Sequence, residues 1–264
     1  MSGFSSQWLA LREPVDHAAR SDEVISAVAH YFLNDNKLTI TDIGSGTGST
    51  LRALKPVLQQ DISWHLIDHD ETLIDVARSE AKSDEVNFSL ADLSKSLEEL
   101  FVHNPKLLTT SAFLDLVSET WLQEFVDTVA AHQVPFYAAL TYDGRAGCDP
   151  ETPDDKLVAA AFNQHQKTDK GFGPALGPDA ADTAISMFKK AGYQVIQAQS
   201  DWIGDKNHKE FQKMLLEGWS SAATEIAPEN SEKFSAWLQE RLHLIENENA
   251  TVFVGHQDFL AVPE

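Results

Sequence analysis

Residues 38–51 read Leu-Thr-Ile-Thr-Asp-Ile-Gly-Ser-Gly-Thr-Gly-Ser-Thr-Leu, and no other stretch limits the fold of this chain so tightly. The run starts as an alternating, β-branched strand, reaches an acid at Asp42, passes Gly44, Gly46 and Gly48, and then takes on helical spacing. A strand that must turn at once into a helix needs positive φ or a missing Cβ, and a ligand lying on that turn needs bare backbone beneath it. Ser49 stands where it can cap the helix that follows.

Two ligand classes use such a turn. A dinucleotide fingerprint has the spacing G-x-G-x-x-G, its third glycine allowing close helix–strand packing while the helix N-terminus faces a pyrophosphate. Ser49 occupies that third position here, and the spacing present is D-x-G-x-G-x-G. An acid two residues before the glycines is a poor neighbour for a pyrophosphate and a good one for an ammonium group. The stretch resembles motif I of the class I (Rossmann-like) S-adenosylmethionine (SAM)-dependent methyltransferases, with a bacterial small-molecule subgroup as the expectation. An NAD(P)-linked oxidoreductase and a SAM-binding protein without catalysis are the alternatives.

The flanking sequence agrees with that resemblance. Residues 62–68 form a second strand ending in Asp68, about 20 residues past the glycines, where a carboxylate can accept ribose hydroxyls. His65 and His69 bracket Asp68, but on a strand they stand about 13 Å apart, so no metal site is expected. Asp70 can cap a helix with Leu73, Ile74, Ala77 and Ala81 on one face. A third strand at 86–90 runs into Asp92-Leu93, and a fourth at 106–112 is followed by Asp115 and a helix capped by Ser118. The resemblance implies a cofactor held by Asp42, Gly44, Ser45, Gly46, Gly48, Asp68, His69, Asp92, Leu93 and Ser111. Asp115 sits among apolar residues, where desolvation can make it a base, or it simply caps a turn.

The fifth strand, at 134–142, ends at Asp143-Gly144-Arg145. Residues 146–178 then read as an insertion far longer than an ordinary strand-to-helix loop. Within it Thr152 caps, Pro153 takes the first helical position and Asp154-Asp155 fill the first turn. Leu157, Val158, Ala161, Phe162 and His165 share one face, so His165 is either a satisfied core histidine or, beside the Gly/Pro-rich run 171–178, a substrate-facing one. A helix to Lys190, a sixth strand at 193–203, two amphipathic helices and a last strand at 251–262 with a bulge at Gly255 complete the chain.

These alternating elements predict a doubly wound α/β fold with ligands at the carboxyl ends of its strands. The methyltransferase resemblance makes it a seven-stranded, mostly parallel sheet in the order 3-2-1-4-5-7-6, the last strand antiparallel, with helices on both faces. Residues 1–37 are expected to form a helical cap segment and 38–264 the SAM-binding domain. The activity implied is methyl transfer from SAM, with S-adenosylhomocysteine as product, and His165, Asp115 and Tyr142 are the candidate catalytic residues. Should Arg12, Arg20, Arg145 and Lys170 converge on one mouth, the acceptor is a small anion. Trp8 and Leu11 either pack the leading segment down or close it over that mouth.

Acids outnumber bases 41 to 20, a net charge of −21 at pH 7, so a phosphate backbone is repelled and nucleic acid is not the expected substrate. A single cysteine, Cys148, excludes an internal disulfide and a thiolate zinc cluster and fits a reducing cytoplasm. No stretch has the length of a signal peptide or a membrane span.

Overall fold

Strand β1 (Lys37–Ile43) is apolar toward both faces, with Leu38 and Ile40 in one core and Ile43 in the other, and it therefore lies inside the sheet. In this computed structural model, which describes residues 5–81, 85–247 and 250–264, β1 is flanked by β2 (Asp61–Asp68) and β4 (Leu107–Ser111), both parallel to it. The first four residues of the expected cap segment lie outside the described residues. β3 (Val86–Leu90) extends the sheet beyond β2, and β5 (Phe136–Asp149) pairs with β4. The antiparallel β8 (Thr251–Pro263) lies between β5 and β6 (Tyr193–Gln199), giving the order β3-β2-β1-β4-β5-β8-β6.

This is the expected sheet with one strand more. The predicted sixth strand breaks at Ser200-Asp201, and its end becomes β7 (Trp202–Gly204), which also pairs with β8. The break has a local cause. Asp201 Oδ1 accepts the His256 N–H (3.1 Å), which in an unbroken ladder would meet a strand carbonyl.

Helices α1 (Ser6–Ala19), α2 (Asp22–Tyr31), α6 (Asp155–Gln166), α8 (Lys209–Ile226) and α9 (Ser231–Glu246) contribute to the core on one face. On the other face α5 (Glu119–His132) and α7 (Ala180–Lys190) enclose a separate core. Helix α4 (Glu71–Glu80) is capped by Asp70, whose carboxylate accepts the Thr72 N–H at 2.8 Å, as its sequence predicts.

Several local expectations are corrected. Ser49 is not the cap of α3 (Ser49–Leu54): the capping position is Gly48, in left-handed backbone, and Ser49 Oγ lies 3.1 Å from His17 Nε2. That helix closes at Leu54, two residues before Pro56, whose ring cannot follow a helical i−4 carbonyl. Strand β5 does not stop at Tyr142; it bulges through residues 143–145 and resumes at Ala146 opposite Val254, so the insertion begins only at Pro150. The bulge is therefore in β5 and not at Gly255. That glycine lies beneath it, where a Cβ would come within 2.7 Å of Arg145 Cβ.

Helix α6 starts at Asp155, later than predicted, because Thr152 is a donor and not a cap. Its N–H and Oγ1 both donate to the Asp155 carboxylate, at 2.7 and 2.9 Å. The same carboxylate accepts the indole N–H of Trp237 (2.7 Å) and the guanidinium of Arg241, which is fully buried. This charged knot ties the insertion helix to α9.

Candidate active site

The glycine turn is held from both sides. Gly44, Gly46 and Gly48 have φ of 59°, 54° and 85°. The Ser45 N–H donates to the Ile67 carbonyl (3.0 Å), and the Gly46 N–H donates to Asp68 Oδ2 (2.8 Å). The acid at the end of β2 thus supports the loop directly, its other oxygen accepting the Asp70 N–H at 3.0 Å. Burial alone would raise the Asp68 pKa, but hydrogen bonds from His69, Asp70 and Gly46 outweigh it and hold the carboxyl below its usual range. His69, half exposed 3.4 Å from Asp68, is pushed up by that partner.

Asp42 is completely buried at the end of β1, in register with Thr109 of β4, whose hydroxyl donates to its Oδ1 at 2.7 Å. Oδ2 makes no well-formed hydrogen bond among the described residues, although the Thr50 hydroxyl lies near enough to favour the ionised group. Burial raises this carboxyl to about 7, against the hydrogen bond from Thr109 and the nearby charge of Arg20. One strand beyond β2, Asp92 is exposed and bound to Ser94 and Lys95, which lower it to about 2. Leu93 is buried, and its carbonyl accepts the Trp121 indole N–H at 2.7 Å. Asp42, Asp68 and Asp92 therefore stand along the carboxyl ends of three neighbouring strands.

Two side chains cover the turn. A Cβ on Gly44 would lie 2.7 Å from the Phe113 ring, and one on Gly46 would lie 3.3 Å from Leu9 of α1. The helix carrying Leu9 is anchored to α3 through Glu13, which accepts from Arg52 Nε at 2.6 Å and Nη2 at 2.7 Å. Arg20, the residue that closes α1, is buried and donates to Ser111 Oγ (3.1 Å), to Tyr137 Oη (3.4 Å) and to Thr50 Oγ1 (3.5 Å).

The candidate catalytic residues divide. Asp115 is buried in a single 3₁₀ turn after β4, and its Oδ1 has no partner among the described residues. Burial raises it to about 6, while Arg12 and Lys170 pull the other way. Tyr142 is buried in the middle of β5, just before its bulge, donates to Asn163 Oδ1 (2.6 Å), and has a pKa raised by burial. His165 is not a core histidine: it bridges α6 and α8, with Nε2 3.1 Å from Glu225 and Nδ1 3.4 Å from Lys170 Nζ. His165 shares the stripe of Val158 and Ala161 but stands in the last turn of α6, where it meets Glu225 of α8 instead of the core that those two residues enter.

The four predicted cations do not form a bare positive mouth. Arg12 pairs with Asp16 at 3.1 Å, and Arg145 is clamped by Asp143 and Asp201 at 2.5–3.0 Å. Lys170 binds Thr168 as well as His165, and Arg20 is buried among Ser111, Tyr137 and Thr50, its charge acting on Asp42. Sequence reasoning did not single out His256 or Asp258. Asp258, fully buried, accepts from Ser21 N (3.0 Å), Leu140 N (2.8 Å) and Tyr137 Oη (3.3 Å), and so ties α2 to the sheet. A charged residue inside the mostly apolar strand 252–262 was its available signal.

No protein-family model and no curated protein matches the chain. Solved structures resemble it in shape. A presumed methyltransferase of Bacillus halodurans is 11% identical with a TM-score of 0.52, over 91% of this chain and 99% of its own. The YcgJ protein of Bacillus subtilis is 13% identical with a TM-score of 0.52, over 92% and 99%. The cyclopropane synthase MmaA2 of Mycobacterium tuberculosis is 15% identical with a TM-score of 0.50, over 98% and 94%. At such identities the likeness is one of architecture, and this chain has the fold of the class I methyltransferases.

Proposed function

We propose that this protein transfers a methyl group from S-adenosylmethionine to a small-molecule acceptor. The observation that carries the reading is Asp42: a fully buried carboxyl group with one oxygen that makes no well-formed hydrogen bond, beside three glycines in left-handed backbone. Such an atom costs about 1–3 kcal/mol when left unpaired, and a charge-assisted bond to an ammonium relieves it best. Arg20 beside it supplies the opposite charge, so the pair suits an amino acid ionised at both ends. Asp68 keeps lone pairs for ribose hydroxyls, since a carboxylate accepts about four hydrogen bonds. His69, Asp92, Leu93 and Ser111 border the same row of strand ends, and Ser45 belongs to the turn itself.

These residues fit the cofactor once Leu9 and Phe113 give way above the glycines. When bound, it supplies an already activated methyl group. The protein's remaining work is to orient the acceptor, exclude water and take a proton from a hydroxyl or ammonium. Asp115, raised to about 6 by burial, is the proton acceptor. Tyr142, fixed by Asn163, positions the acceptor, and His165 holds Lys170 near Asp115. With Arg12 and Arg145 already paired to carboxylates, the acceptor need not be anionic. Nucleic acid remains disfavoured by the net charge of −21.

Calorimetric titration with SAM, S-adenosylhomocysteine and NAD, followed by labelled SAM with hydroxyl, amine and thiol acceptors, tests this. SAM binding, no NAD binding and label on an acceptor are expected. NAD binding without SAM binding contradicts the proposal, and SAM binding with no turnover of any acceptor reduces it to a binding protein.

A further inference from the structure

The sheet ends in β3 and β6, each of which pairs on one side only among the described residues. Natural sheets blunt such edges with charges, proline or a bulge, because a row of exposed N–H and C=O groups recruits another strand. β6 has none of these devices. Its seven residues, Tyr-Gln-Val-Ile-Gln-Ala-Gln, carry no charge and no proline in a chain that is 23% charged, and its register with β8 runs without a shift from Tyr193 to Gln199. Gln194, Ile196, Gln197 and Gln199 are exposed.

The hydrogen bonds at the two ends of β6 fix which backbone groups face outward. The Gly192 carbonyl accepts from the Glu264 N–H (3.3 Å) and the Ser200 N–H donates to the His256 carbonyl (2.9 Å), so Gln194, Ile196 and Ala198 between them also turn their backbone groups toward β8. The N–H and C=O groups of Tyr193, Val195, Gln197 and Gln199 therefore point away from the sheet. An antiparallel second copy centred on Ile196 sets Tyr193 opposite Gln199 and Val195 opposite Gln197, and every one of these groups then has a partner. In the same register Ile196, 40% exposed, meets its own counterpart at a non-hydrogen-bonded site, where side chains approach most closely.

Charge favours the same arrangement. At a net charge of −21 two copies repel over most of their surfaces, so contact needs a region where opposite signs meet. Helix α7 leads into β6 through Ala191-Gly192 and runs antiparallel to it. Helix α2 does the same: Ser21 at its start bonds Asp258, which is in register with Ala198, and the Phe32 carbonyl at its end accepts from Gln60 at the amino end of the sheet. In both helices acids come first and bases last, Asp182 before Lys189 and Lys190 in α7, Asp22 and Glu23 before His30 in α2. A two-fold axis through Ile196, perpendicular to the sheet, lays each helix antiparallel to its counterpart, acid end beside basic end. The β3 edge has no such reversal, being five residues long with Glu85 before it and Asp92 after it.

We propose that β6 is the self-association edge of this protein: two copies pair antiparallel through residues 193–199 into one continuous sheet. The pairing consumes the β6 edge of both copies and leaves β3 at each outer end, so it closes at a dimer. It stands independently of the methyltransferase reading.

Sedimentation velocity of the intact chain, over about 1 to 100 μM, is expected to show a shift from one copy to two. Gln197→Pro removes an outward N–H from each copy and leaves the β8 ladder whole, and Ile196→Lys sets two like charges on the axis. Each is expected to weaken the dimer about 10- to 100-fold with an unchanged circular dichroism spectrum. Leu90→Lys, on the β3 edge, should leave the dimer as it is. A single-copy mass at every concentration overturns the proposal. So does a mass that keeps growing past two copies, a dimer indifferent to both β6 substitutions, or one that Leu90→Lys weakens instead.

Discussion

Between the sheet and helices α5 and α7 the interior is a phenylalanine stack: Phe136 meets Phe125, Phe188 and Phe259 at 5.0, 5.2 and 5.8 Å, all fully buried. Tyr193 beside it shares its hydroxyl between the carbonyls of Val129 and Val134. On the opposite face, toward α1, α6 and α8, rings of comparable size are mixed with charges, and Asp16, Arg20, Trp202 and Trp219 each keep a buried atom without a partner among the described residues. One sheet thus supports two kinds of interior. The first packs to completion, and the second leaves buried polar atoms among its rings without partners among the described residues.

The contrast is broken most directly through stability. Phe136→Ala is expected to cost about 3–5 kcal/mol in denaturant unfolding, whereas Trp219→Phe should cost less than about 1.5 kcal/mol. Similar losses at the two sites would mean that both faces are structural cores. The charged knot of α6 and α9 belongs with the first kind. Arg241→Met, which strands the Asp155 carboxylate, should cost about 3–5 kcal/mol at pH 7, and adding Asp155→Leu should recover most of it. Burial raises the Asp155 pKa, but hydrogen bonds from Arg241, Thr152 and Trp237 bring it below the unfolded value. Its contribution is therefore present above pH about 4 and is lost as pH falls through the lower folded value.

On the second face the expected effects fall on the proposed chemistry. Asp115→Asn should lower methyl transfer to a hydroxyl acceptor about 10²- to 10⁴-fold while the cofactor still binds. With the native acid the rate should climb as pH rises through about 6 and level off above it, because only the carboxylate takes the proton. A profile unchanged by the substitution would remove Asp115 from the chemistry. Asp42→Asn should weaken SAM about 10- to 100-fold, the worth of one charged hydrogen bond, without loss of stability. Native Asp42 keeps its proton up to about pH 7, so it favours the fold as pH falls from 7 toward 4. Urea midpoints at pH 5 and 8 should therefore differ less in the variant.

Much of the frame was legible because its signals are local. The glycine turn, the strand-end acids Asp68 and Asp92, and the helices capped by Ser21, Asp70 and Ser118 depend on residues within a few positions of one another. What was hidden depends on distant partners. Strand β5 outruns its apparent end because β8 continues beside it to Thr251. Thr152 looks like a cap until Asp155 is seen to be held by Arg241 of a helix far along the chain. Arg20 reads as an acceptor contact, yet Ser111, Tyr137 and Thr50 draw it beneath the glycine turn. His256 and Trp202 acquire their meaning only when β7 and β8 bring them within 4.5 Å.

The central claim is that the glycine turn between Asp42 and Asp68 receives a sulfonium nucleoside on the α1 side of the sheet. Amide hydrogen exchange with and without saturating S-adenosylhomocysteine reads that location segment by segment. Slowed exchange at residues 44–48, 68–70 and 9–13, with α5 and α7 unchanged, is the predicted pattern. Slowing confined to α5 and α7, or none with the ligand shown to be bound, would contradict it.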